Sequence, residues 1–230
     1  MNPLLPLISC ICFTDNQPLV LQRAIACFEK QDYPNKELVI SYLKDDLLTK
    51  NLIDQIEIIS DINIIRIERS GHEDQNTAKN DVIIAATGEY ICIWDDHSWH
   101  HKSRLHDQYQ VINSGNFKAS ILKQILFFNY SSKKSYSSPF YHWEESLLCE
   151  RKLLLQQITD HRQWEVFWVF DDLIPKQALY EINDKAHLIV HICHESNSSP
   201  EDIGQIQHWP EATHLNQNII ELASLEYYLL

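Results

Sequence analysis

Apolar positions in the first hundred residues fall in short runs separated by amphipathic stretches. Leu7 to Phe13 is a run with β-branched content and reads as a buried strand. It stops at Thr14-Asp15-Asn16-Gln17-Pro18, a polar turn whose proline is placed to start a helix. Leu21, Ala24, Ile25 and Phe28 then recur at helical spacing on one face. Tyr33-Pro34-Asn35 is a turn, and Glu37 to Ser41 is a second strand. A helix over 51–59, a strand over 63–67, a polar loop over 70–76 and a helix over 77–86 follow, the last with Ala78, Val82 and Ala85 inward. Gly88 is placed to cap that helix, and Tyr90 to Trp94 is a fourth strand that ends on Asp95-Asp96.

Strand and helix thus alternate four times, at about 27 residues per unit, the spacing a βαβ crossover needs. That predicts an α/β fold with a mostly parallel central sheet flanked by helices. Ligands of such sheets bind beyond the carboxyl ends of the strands. The polar tips Thr14-Asp15-Asn16 and Asp95-Asp96 both lie there, so two strands deliver polar groups to one rim. The second half is less regular. A helix is expected over 102–112, an apolar strand-like run over 120–130 and a Ser/Lys-rich loop over 131–138. An aromatic helix segment or loop wall is expected over 164–170, a strand over 187–193 and a docking helix over 216–230.

Charge narrows the partners. The 230 residues carry 19 Lys+Arg against 32 Asp+Glu, a net of −13, which argues against a nucleic-acid binder and against an anionic lipid surface. Only 4 Gly occur, too few for a multi-glycine dinucleotide loop. The six cysteines form no C-x-x-C pair; Cys10 and Cys12 share one strand face and read as small core hydrophobes. With no basic leader ahead of the first apolar run and no stretch of roughly 18 apolar residues, the expectation is a cytoplasmic protein.

Four segments resemble the family 2 glycosyltransferases. Leu7 to Asn16, followed by Arg23-Ala24-Ile25 and Gln31-Asp32-Tyr33-Pro34-Asn35-Lys36-Glu37-Leu38, is similar to the family's opening strand, helix and "Q-x-Y-P-x-x-E" turn. Ala78-Lys79-Asn80 with Ala86-Thr87-Gly88-Glu89-Tyr90-Ile91 resembles "A-R-N … A-x-G-E-Y-I". Trp94-Asp95-Asp96-His97-Ser98-Trp99 with Arg104-Leu105 stands at the aspartate-rich metal motif, and His194-Glu195-Ser196-Asn197 resembles an "H-G-x-N" element. The resemblance implies a single GT-A nucleotide-diphospho-sugar transferase domain. Residues 1–112 would form its nucleotide-binding half, 113–204 its acceptor-side half and 205–230 a helical tail.

The implied activity is inverting transfer of a sugar from a nucleotide-diphosphate sugar, UDP-linked, to a glycan, lipid or peptide hydroxyl. A divalent cation, Mn²⁺ or Mg²⁺, would neutralise charge building on the leaving diphosphate. The acceptor hydroxyl must lose a proton, which calls for a carboxylate base. On the matching positions, Asp96, His97 and His194 are the expected metal ligands, and Thr14, Asp15, Lys79 and Asp95 the expected nucleotide contacts. Glu165 is the expected base, with Asp171 and Asp172 as fallback.

The sequence also departs from the family pattern. His97 and Ser98 replace later aspartates of the metal motif, Lys79 replaces an arginine, and Ser41-Tyr42-Leu43 stands where the family has an aspartate, with Asp45-Asp46 slightly later. Those departures leave open a catalytically degenerate domain that binds a nucleotide, a sugar or a protein, including self-association through the tail. His100, His101 and His106 match no zinc spacing and read as a polar helix start. Trp164, Phe167, Trp168 and Phe170 read as core more than as sugar-stacking rings.

Overall fold

The computed structural model describes residues 5–159, 166–194 and 204–212. Its first half is β1 (Ile8–Phe13), α1 (Pro18–Glu29), β2 (Lys36–Leu43), α2 (Leu47–Ile59), β3 (Ile64–Arg69), α3 (Gln75–Ala85) and β4 (Tyr90–Ile93). Then come β5 (Ser98–His100), α4 (Arg104–Asn113), β6 (Ala119–Leu122), β7 (Leu126–Asn129), β8 (Lys134–Ser137) and β9 (Leu148–Glu150). The remaining elements are α5 (Arg151–Thr159), α6 (Val166–Leu173), β10 (Leu179–Ile182) and β11 (Ile189–Cys193).

Seven strands form one sheet in the order β10-β6-β9-β4-β1-β2-β3. β4, β1, β2 and β3 are mutually parallel, as the βαβ spacing requires, and β10 pairs parallel to β6. β9 enters antiparallel between β4 and β6. A second sheet of four, β5-β11-β7-β8, is mixed: β11 is parallel to β7 and antiparallel to β5. It takes up the chain directly after Asp95-Asp96.

Local chemistry explains the boundaries. Pro18 opens α1, and Leu21, Ala24, Ile25 and Phe28 are all buried, each of the larger ones worth roughly 1.5–3 kcal/mol of burial. α2 starts four residues before the predicted helix because Asp46 caps it, accepting from the Thr49 amide at 3.0 Å. Asp74 caps α3 in the same way, through Asn76 and Thr77. Gly88 is not the cap; Ala86 is, and Gly88 is packed against Ser9 and the Leu7 carbonyl. The apolar run over 120–130 divides into β6 and β7, and the Ser/Lys-rich stretch over 131–138 contains β8, whose Ser135 and Tyr136 are buried. His100 belongs to β5 rather than to a helix start. Phe170 is core, as expected, while Trp164, the side chains of Phe167 and Trp168, and 216–230 lie outside the described residues.

Several motif residues are architectural. The buried Glu37 carboxylate takes Ser9 Oγ at 2.6 Å, the Thr87 amide at 2.7 Å and Thr87 Oγ1 at 2.7 Å. Gln31 donates to the Cys27 and His101 carbonyls and accepts from the Leu105 amide, and the Tyr33 hydroxyl donates to the Pro6 carbonyl. Satisfying buried polar groups in this way fixes the register of turns that would otherwise be soft. All six cysteines are buried free thiols. No helix among the described residues is long and apolar enough to cross a membrane.

Candidate active site

The carboxyl ends of β1 and β4 meet at one rim, as the alternation predicts. Buried Arg23, reaching from α1, donates to the Asp96 carbonyl at 2.8 Å and fixes the chain just past β4. Asp95 Oδ2 accepts the Ser98 hydroxyl at 2.5 Å and lies 3.4 Å from His191 Nδ1. Burial alone would push Asp95 upwards. The His191 and Ser98 hydrogen bonds and the His191 charge outweigh it and hold the carboxyl well below the usual range. Asp96 behaves oppositely: burial raises it, and the Asp95 charge adds to that against partial relief from His97.

Two cavities open at this rim. One, about 440 Å³, is lined by Thr14, Asp15, Arg69, Lys79, Asp96 and His97, with Phe13 and Asp95 on the shared side. The other, about 380 Å³, has apolar walls at Ile11, Ile93 and Trp94 and polar ones at Glu145 and His191. Phe13, Lys79 and Asp95 line both. The structure thus brings together Thr14, Asp15, Lys79, Asp95, Asp96 and His97 from the sequence reading. Asp15 is exposed and paired with Arg69, whose guanidinium also donates to the Thr14 carbonyl at 2.8 Å.

The resemblance implies a divalent cation at these donors. Asp96 Oδ1 and His97 Nε2 stand 3.7 Å apart, short enough for both to bond one ion at about 2.1 Å each. His97 Nδ1 is buried with no hydrogen-bond partner among the described residues. A cation beside Asp96 would also relieve a carboxyl that burial disfavours in its charged form. The two residues fit a divalent ion as a pair. His194 sits next to His97, ring centroids 5.9 Å apart, but no group of three His, Cys, Asp or Glu side chains among the described residues is placed to hold a metal.

Glu165 lies outside the described residues. Asp171 and Asp172 are exposed on α6, and Asp172 pairs with Lys176. Asp46 does not stand open at the rim: it is buried, and its carboxylate accepts the Asn16 amide at 2.8 Å as well as capping α2. Sequence reading passed over Arg69, Glu145 and His191. The signal for His191 was a polar residue between buried Val190 and Ile192; for Glu145, a Glu-Glu pair directly before the apolar run of β9.

A family model described as Glycosyl transferase family 2 matches residues 9–174. No curated protein matches the chain in sequence. The mannosyltransferase PcManGT from Pyrobaculum calidifontis, in complex with GDP-Man and Mn²⁺, superposes with a TM-score of 0.61 at 14% identity, over 97% of this chain and 70% of that one. S. aureus TarS 1-349 in complex with UDP-GlcNAc gives 0.59 at 15% identity, over 97% and 73%. A longer S. aureus TarS structure gives 0.56 at 14% identity over 96% of this chain, which spans 43% of that molecule's length. At these identities the likeness is one of fold, the α/β GT-A architecture.

Proposed function

Because the chain belongs to glycosyl transferase family 2, we propose that it moves a sugar, with inversion, from a nucleotide-diphosphate donor to an acceptor hydroxyl. The observation that carries this is the pair of cavities meeting at Phe13, Lys79 and Asp95, beyond the carboxyl ends of β1 and β4. The more polar cavity, with the cations Arg69 and Lys79, suits the nucleotide and its phosphates. The second, with apolar walls beside a carboxylate and an imidazole, suits a sugar ring. The bond to be broken then lies at their junction.

Lys79 faces both cavities and brings a point charge to the departing diphosphate. Asp96 and His97 would hold a divalent cation, which when bound supplies charge neutralisation for the same oxygens. The acceptor hydroxyl loses its proton to a carboxylate; Glu165, the expected base, lies outside the described residues. Donors carrying UDP and GDP accompany the similar folds, so both classes belong in the trial.

The trial is transfer and hydrolysis of UDP-GlcNAc, GDP-mannose and related donors, with Mn²⁺ and with Mg²⁺. Turnover that depends on Asp96 supports the reading; no turnover and no heat of binding with any donor ends it. The metal pair supports a second reading, a domain that binds without transfer: among the described residues no third His, Cys, Asp or Glu joins Asp96 and His97. Binding of UDP with no turnover of any donor would favour that reading.

A further inference from the structure

The half-buried Glu145 is the central residue of a three-residue 3₁₀ turn, Glu144–Ser146, that leads into β9, the strand inserted antiparallel beside β4. This insertion carries a carboxyl from residue 145 to the wall of the cavity lined by Lys79, Asp95 and His191. The placement is rigid. Buried Arg104 donates to the Glu145 carbonyl at 2.8 Å and to the Ile93 carbonyl at 2.8 Å, tying the turn to the end of β4. Ser146 is fixed as well: its hydroxyl accepts the Leu122 amide at 2.9 Å, and its carbonyl accepts Gln108 Nε2 at 2.6 Å. A carboxyl held on a locked backbone at a cavity wall is what a positioned proton acceptor requires.

We infer that Glu145 takes the proton of the acceptor hydroxyl in the transfer reaction. This rests on the transferase reading above. In the step, the acceptor oxygen bonds to the anomeric carbon, and the bond from that carbon to the diphosphate oxygen breaks. That electron pair leaves with the nucleoside diphosphate, and the acceptor proton passes to a Glu145 carboxylate oxygen, from which solvent later removes it. The leaving oxygen belongs near Lys79, where the two cavities join, and the sugar separates it from Glu145. An inverting displacement needs that arrangement, with base and leaving group on opposite faces of the ring (as in inverting glycoside hydrolases).

The groups facing Glu145 set its working range. Burial pushes its carboxyl above the ordinary value, and the Asp95 charge pushes the same way. Its own backbone amide, His191 and Arg104 oppose that shift, and Lys79 and Glu144 line the same cavity. A base with a raised pKa loses activity as pH falls through that value, so Glu145 sets part of the acid limb of kcat/KM, above the usual Glu range of about 4.3, beside the Asp96 carboxyl that burial also raises.

The experiment compares the full chain with Glu145→Gln, Glu145→Asp and Glu165→Gln. It measures kcat and donor KM with UDP-GlcNAc or GDP-mannose over pH 5 to 9, and the heat of UDP binding with Mn²⁺. Glu145→Gln is expected to lower kcat by roughly 10²–10⁴-fold with UDP binding unchanged and the Glu145 part of the acid limb gone. Glu145→Asp keeps a shifted acid limb, and Glu165→Gln loses less. An unchanged kcat in Glu145→Gln, a change confined to KM, or an acid limb abolished by Glu165→Gln instead would overturn the assignment and leave the transferase reading standing. Loss of UDP binding in both Glu145 variants would mark a structural role and also overturn it. A wild-type chain that neither binds UDP nor turns over any donor overturns both.

Discussion

His191 Nδ1 faces Asp95 Oδ2 at 3.4 Å, which couples β11 of the second sheet to the end of β4 in the first. Burial by itself would lower the imidazole, but the hydrogen bond and charge of Asp95, with the charge of Glu145, outweigh it and raise the folded value. A histidine raised above its unfolded value of about 6.5 contributes stability that is fully present below that pH. The contribution is lost as pH rises through the folded value. The melting temperature of His191→Gln should therefore fall furthest below wild type near pH 6, and the gap should close towards pH 9. Thermal melts across that range decide it; a gap of constant size would refute the pairing.

Asp96 makes the opposite case. Its carboxyl sits where burial disfavours the charge, and the Asp95 charge adds to that against partial relief from His97 and Arg23. Asp96→Asn should leave the melting temperature unchanged or slightly higher, because the amide carries no charge to desolvate. Transfer should drop by at least about tenfold, since the amide is a poor partner for a divalent ion. Stabilisation by UDP plus Mn²⁺ should disappear with it. Initial rates and thermal shifts on the same preparations separate the two effects.

How much of this was legible in the chain follows from the range of the interactions. The parallel half could be read because each strand and helix announces itself within about 27 residues, through apolar runs, Pro18 and the polar strand ends. The rim could be read for the same reason, since the parallel topology alone delivers Thr14 and Asp95 to one edge. Capping shifted α2, because Asp46 works through a backbone amide and leaves no apolar signature. β8 was hidden because Ser135 is buried in an edge strand, against the usual composition. Glu145 and His191 reach the site through β9 and the second sheet, pairings that no local pattern encodes. The motif residues Gln31, Tyr33 and Glu37 were visible, but their work is hydrogen-bonding the scaffold rather than touching a ligand.

Asn16, at φ 51°, sits at the tip of the loop from β1 to α1, and its amide is clamped by the Asp46 carboxylate. The same carboxylate caps α2, so one side chain positions both the loop at the rim and a helix start. Burial works against its charge, but the hydrogen bonds from Thr49 and Asn16 keep it below the ordinary value. Asp46→Ala should cost about 1 kcal/mol or somewhat more, the typical loss of a helix cap. It should also raise the donor KM more than it lowers kcat, because the loop beside Thr14 and Asp15 loses its anchor. Denaturant titration and steady-state kinetics with a nucleotide-sugar check the two halves.

Gly88 lies at the opposite end of the sheet from the rim, so it separates stability from function. A Cβ there would stand 2.6 Å from Ser9 Oγ, 2.7 Å from the Leu7 carbonyl oxygen and 2.9 Å from the Ser9 amide. The Leu7 carbonyl cannot simply withdraw, since it accepts the Glu89 amide at 2.9 Å. Ser9 Oγ cannot rotate freely either, since it donates to Glu37 and accepts the Gly88 amide. Gly88→Ala must therefore push the amino end of β1 away from β4, an overpacking that costs roughly 1–3 kcal/mol. In a chain of this size that lowers the melting temperature by roughly 2–12 °C. The carboxyl ends of the same strands, with Thr14 and Asp95, are not touched, so the folded fraction should bind UDP with unchanged affinity. A variant that melts like wild type would show that the contact yields cheaply; one that keeps its stability and loses UDP binding would contradict the separation of the two ends.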